Sequence, residues 1–198
     1  FTQVAFKEAA PTGYISLSID KAELIDDDTT QDQGGSGNPI AIVDGYGCGY
    51  SSKNDIVAYN DVDFGANGAQ AMDLLFGYGH NDGSVTTLAF MLDDPTSAPI
   101  ATADIGFTGG WDIANAGWVR VPMTIPAGVH TLYVQFTNDK SGSISDVVFE
   151  EAPAAEVVVA DTAAADTTTT APATFDAGVL AALAAIVSAA GYAISKKH

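Results

Sequence analysis

Basic residues are scarce in this 198-residue chain: 7 Lys and Arg stand against 25 Asp and Glu, a formal net charge of −18. Such a field repels phosphate backbones and excludes nucleic acid as a partner for the body of the protein. Cysteine is nearly absent too. Cys48 alone permits neither an intrachain disulfide nor a cysteine metal cage, and among glycines it reads as a small turn residue rather than a reactive thiol. Of the 3 histidines, His80 falls in a turn, His130 begins a strand on its core parity, and His198 ends the chain. No Ser-His-Asp spacing and no His-x-x-x-His pair appears, so hydrolase and metal-ligand patterns are missing. A glycosidase needs two carboxylates facing one another across a cleft, whereas the acids here lie on loops and exposed strand faces. The chain therefore reads as non-catalytic. Phe1-Thr2-Gln3-Val4 also lacks an initiating Met, a basic start and an apolar leader, so a C-terminal fragment of a larger protein is expected.

What the sequence does contain is alternation. Ile15, Leu17 and Ile19 alternate with polar residues, Met72, Leu74, Phe76 and Tyr78 share one face of a strand, and Leu88, Phe90 and Leu92 alternate along the next. Val119, Val121, Met123 and Ile125 take one face of a strand that puts Trp118, Arg120 and Thr124 on the other, and Leu132, Val134 and Phe136 follow. Pro39 to Val43, Ile100 to Phe107 and Ile144 to Phe149 read as further strands. Turn clusters separate them. Asp82-Gly83 carries the hairpin signal and Pro126-Ala127-Gly128 turns the chain. Many short strands without a helix predict an all-β sandwich. Asp26 to Asn38, acidic and glycine-rich, lacks the EF-hand spacing and reads as a solvated loop. Gly45-Tyr46-Gly47-Cys48-Gly49 lacks the helix that a dinucleotide fingerprint requires.

The organising stretch is Gly49 to Gly65, a glycine-rich turn leading into a strand, with Tyr50 at its mouth. An exposed tyrosine there offers a flat apolar platform with a polar rim, suited to a ring-shaped ligand. Residues 13–152 form the sandwich. Gln3 to Ala9 matches Asp146 to Ala152 in pattern, so residues 1–12 read as the last strand of a preceding module. Residues 153–175 are alanine, threonine and acid, a low-complexity linker unable to build a core. Residues 176–198 read as a membrane anchor. Ala177 to Ser195 holds no charge, and its 19 residues as a transmembrane helix span roughly 28 Å. Lys196 and Lys197 place the carboxyl end in the cytoplasm and the sandwich outside the cell.

Gly49-Tyr50, Asn54 to Gly65, Thr108-Gly109-Gly110-Trp111 and Pro126 to Leu132, in that order and spacing, resemble a family-six carbohydrate-binding module. The resemblance covers about Tyr14 to Glu151 and implies a β-sandwich jelly roll found beside glycoside hydrolases. It implies that Tyr50 and Trp111 hold a sugar between them at a loop-lined end of the sandwich. Asn138 stands in for an asparagine that the family places in its last strand region, where this chain has Ile144. It further implies a structural Ca2+ with Glu23 and Asp146 among its ligands, although Lys21 occupies the place of another acid. The tail is similar to a Gram-positive wall-sorting signal around Pro172-Ala173-Thr174, with Ala171 and Phe175 replacing its usual Leu and Gly. The expected function is polysaccharide binding that tethers an attached glycoside hydrolase, or the cell, to glycan. An architectural or protein-binding surface domain without sugar affinity is the alternative, and a remnant hydrolase a third.

Overall fold

The computed structural model describes residues 13–26 and 38–154. The expected last strand of a preceding module, most of the acidic loop, all but the first two residues of the linker, and the membrane anchor lie outside the described residues.

The strands are β1 (Ile15–Ser18), β2 (Glu23–Ile25), β3 (Ala41–Val43), β4 (Gly47–Gly49), β5 (Ile56–Asp63) and β6 (Ala69–Gly77). They continue as β7 (Thr86–Leu92), β8 (Ala101–Ile105), β9 (Gly117–Ile125), β10 (Val129–Phe136) and β11 (Ser143–Glu151). The helical content among the described residues is a single 3-10 turn at Ile19–Lys21. It ends the alternation that the sequence suggested would run to Ile19, and Ile19 is buried from that turn.

Two antiparallel sheets face each other. One has the order β1-β11-β6-β9, the other β2-β5-β10-β7-β8, and β3 and β4 pair as a hairpin. The period-2 pattern explains the packing: Met72, Leu74 and Phe76 from the first sheet, with Tyr78 just past the end of β6, meet Leu132, Val134 and Phe136 from the second, all fully buried. Aromatic pairs cross the gap, Phe64 against Phe149 at 5.0 Å and Phe76 against Phe136 at 6.5 Å between ring centroids. The all-β sandwich is therefore as the sequence predicted.

Connectivity departs from it at Asp82-Gly83. Gly83 takes a left-handed φ of 80°, and Asp82 accepts from the Ser84 amide at 2.9 Å, so a turn is present. It does not close a hairpin. β6 pairs with β11 and β9, while β7 pairs with β10 and β8 in the opposite sheet. Turn chemistry reverses the chain locally; burying both strands' apolar faces against each other sends them to different sheets. This crossing leaves the segment after β6 lying over one end of the sandwich.

Candidate functional site

Four connections converge at that end. The β3–β4 hairpin brings Tyr46 and leads into Tyr50, and the segment after β6 brings His80. The β8–β9 connection brings Trp111, and the β10–β11 connection brings Asp139, Lys140 and Ser141. With Val43, Gly49 and Ser143 these residues line a cleft of about 660 Å³, a size typical of small-ligand sites.

Hydrogen bonds tie these connections together. The Ile113 amide, two residues past Trp111, donates to the Gly45 carbonyl in the hairpin turn at 2.8 Å. The buried Ser51 hydroxyl donates to the Gly142 carbonyl at 2.7 Å and accepts from the Gly142 amide at 2.9 Å. The residue next to Tyr50 thus anchors the connection that carries Lys140. Thr108 and Tyr78 exchange bonds, the Tyr78 amide donating to Thr108 Oγ1 at 2.8 Å and the Thr108 amide to the Tyr78 carbonyl at 3.1 Å. Asp112 accepts from Asn115 Nδ2 at 2.9 Å, and that bond holds its carboxyl below the usual carboxylate range.

Trp111 is half-buried rather than a core plug. Its indole meets Tyr78 at 5.5 Å and His80 at 5.0 Å between centroids, edge-on at 73° and 85°. Two aromatic edges fix its orientation. Tyr50 is exposed and holds a φ of 62°. A left-handed backbone at a non-glycine residue costs on the order of 1–3 kcal/mol and persists where the surroundings over-determine it. Here the strained residue presents a phenol to the cleft.

The other residues expected in sites fall elsewhere. Asn138 Nδ2 donates to the Val85 carbonyl at 3.0 Å and to Thr87 Oγ1 at 3.2 Å, and its Oδ1 accepts from the Thr87 amide. Its amide is directed at β7 and is not among the cleft-lining groups. Exposed Glu23 accepts from Asn60 Nδ2 at 3.0 Å. Asp146, half-buried on β11, has its carboxyl pushed up by burial and then by the Asp20 charge. Lys21 pairs with Asp20 at 3.0 Å. Among the described residues no three His, Cys, Asp or Glu side chains gather into a metal-holding group.

Tyr46, His80, Asp139, Lys140 and the serines of the cleft were not singled out from the sequence. Only their placement on connections at one end marks them, and that end is defined by the crossing between sheets.

The profile of the carbohydrate binding module (family 6) matches residues 21–151. The chain belongs to that family. The module is thus of a non-catalytic, carbohydrate-binding type. Its fold is similar to part of a glycoside hydrolase family 43 arabinoxylan arabinofuranohydrolase from Bacillus subtilis, solved with cellotetraose. The TM-score is 0.50 at 16% identity over 70% of this chain, and the match spans 27% of that enzyme's chain. A family 6 module from Clostridium stercorarium, solved with cellobiose, aligns over 66% of this chain and 94% of its own at 22% identity and a TM-score of 0.48. One from Clostridium cellulolyticum, solved with xylose, aligns over 70% and 98% at 18% identity and a TM-score of 0.48. A search of curated proteins finds no match.

Proposed function

We propose that the module binds a polysaccharide or oligosaccharide in the cleft lined by Tyr50 and Trp111. The observation that carries this reading is that these two aromatics, far apart in sequence, line one open cleft together with hydroxyl and charged groups. Pyranose rings present C–H faces that pack on aromatic faces, and their hydroxyls need polar partners at the rim. Tyr46, Ser141, Ser143, Asp139, Lys140 and His80 supply those partners. Binding of this kind keeps whatever is attached to the module on insoluble glycan. Solved neighbours with cellotetraose, cellobiose and xylose support glucan- or xylan-type probes.

The test is affinity electrophoresis in gels of laminarin, xylan or hydroxyethylcellulose. Retention in at least one is expected, with Trp111→Ala weakening it at least tenfold, about 1.4 kcal/mol, while the melting temperature holds. Unretarded migration in all three gels by a folded module overturns the reading in favour of an architectural or protein-binding domain.

We further propose a surface location, through a span at residues 177–195 with the carboxyl end cytoplasmic. Support comes from the uncharged run followed by Lys196 and Lys197. No helix of the described residues is long and apolar enough to cross a membrane. Sedimentation of the full chain with membranes, lost on truncation after residue 175, is the expected result.

A further inference from the structure

Tyr78, Gly79 and His80 are consecutive, and the outer two flank the Trp111 indole. The middle one is where the ring comes closest to the chain. A Cβ at Gly79 would lie 2.1 Å from Trp111 Nε1, 2.4 Å from Cδ1 and 2.5 Å from Cε2. Comfortable separation is about 3.5–4.0 Å. The pyrrole edge of the indole thus occupies the space in which any other residue's side chain begins. Gly77 repeats the arrangement with backbone, since a Cβ there would lie 2.5 Å from the Trp111 carbonyl oxygen. Neither glycine holds a left-handed φ. What position 79 requires is closeness, not a special backbone conformation.

We infer that Gly79 is a positioning residue for the ligand: it sets how deeply the Trp111 indole sits and hence the face that the cleft offers. The inference rests on the carbohydrate reading of the same cleft. The clash is with a half-buried side-chain ring that packs on the core on one side and lines the cleft on the other, not with backbone. An alanine at 79 therefore moves the indole by roughly 1 Å or more to regain contact distance, with the cleft as the side open to it. An aromatic platform displaced by that amount no longer stacks on a sugar whose hydroxyls are held by Ser141, Asp139 and Lys140.

The test uses the full chain and two readouts. In a Trp118→Phe background, where Trp111 is the remaining indole, Gly79→Ala is expected to raise acrylamide quenching and alter the emission maximum, with melting within a few degrees of the parent. In laminarin, xylan and hydroxyethylcellulose gels, Gly79→Ala is expected to weaken retention at least tenfold. In a Trp111→Ala background, which removes the Cδ1, Nε1 and Cε2 atoms that position 79 faces, the same change is expected to cost less than about threefold. That non-additivity separates seating of the indole from general damage. Unchanged quenching overturns the inference, as does an equal loss in the Trp111→Ala background. If the parent is retained in none of the gels, the carbohydrate reading falls, and quenching alone decides whether Gly79 seats the ring.

Discussion

The Ile144 amide donates a hydrogen bond to Cys48 Sγ at 3.2 Å, joining the middle of β4 to the start of β11. The hairpin that carries Tyr46 and leads into Tyr50 is thereby seated on the sandwich through a fully buried thiol. Gly47 reinforces the contact, its φ of 84° letting the chain pass where a Cβ would lie 2.2 Å from the Ile144 carbonyl oxygen.

Burial pushes the Cys48 thiol up to about 12, with the Asp55 charge adding to it and the Ile144 amide opposing. The folded protein is expected to be inert to thiol reagents at neutral pH and to react once unfolded. An unfolded thiol ionises near about 8.5, so the folded state holds its proton where the unfolded one releases it. Stability is full below that pH and declines above it towards the folded value. Urea melts from pH 7 to 10 measure the slope. Cys48→Ala should cost about 1–3 kcal/mol at neutral pH and flatten part of the alkaline decline; an unchanged slope refutes the assignment.

Tyr50 sets function against backbone comfort. Tyr50→Gly removes the left-handed strain and should leave stability equal or raise it by up to about 1 kcal/mol, while glycan retention falls severalfold. Tyr50→Ala should lose retention equally and keep the strain. Thermal melts of the pair check this, and a Gly variant less stable than the Ala variant contradicts it.

Asn138→Ala separates support from contact. With its amide holding Val85 and Thr87, truncation is expected to cost about 1–2 kcal/mol and to leave retention within about twofold once folding is complete. A stable variant that no longer binds would return Asn138 to the sugar.

Asp93 and His130 join the end of β7 to β10, Asp93 Oδ2 lying 2.7 Å from His130 Nδ1. The His130 bond, then the Thr131 amide, hold the Asp93 carboxyl below its usual range. A depressed acid contributes stability above its unfolded pKa, near about 3.9, and loses it as pH falls through the folded value. Asp93→Asn should therefore make stability less steep in pH below about 4. Equal steepness in chemical melts from pH 2 to 6 would rule the pair out as a contributor.

The alternation of apolar residues determined the strands and their inward faces. Met72, Leu74, Phe76 and Tyr78, or Val119, Val121 and Met123, can satisfy a period of two in only one way once a face is buried. The motifs around Tyr50 and Trp111 likewise carried the family. Sequence could not decide partnership, because Asp82-Gly83 specifies a reversal of the chain and not the sheet that the next strand joins. It read Cys48 as a turn residue, whereas pairing with Ile42 puts it in a buried strand. It passed over β2, whose place depends on β5. Gly79, His80 and Lys140 have no local signature at all. Side chains from separate connections become neighbours only when both sheets close on one core, and that closure is a property of long-range packing, which no short window of sequence encodes.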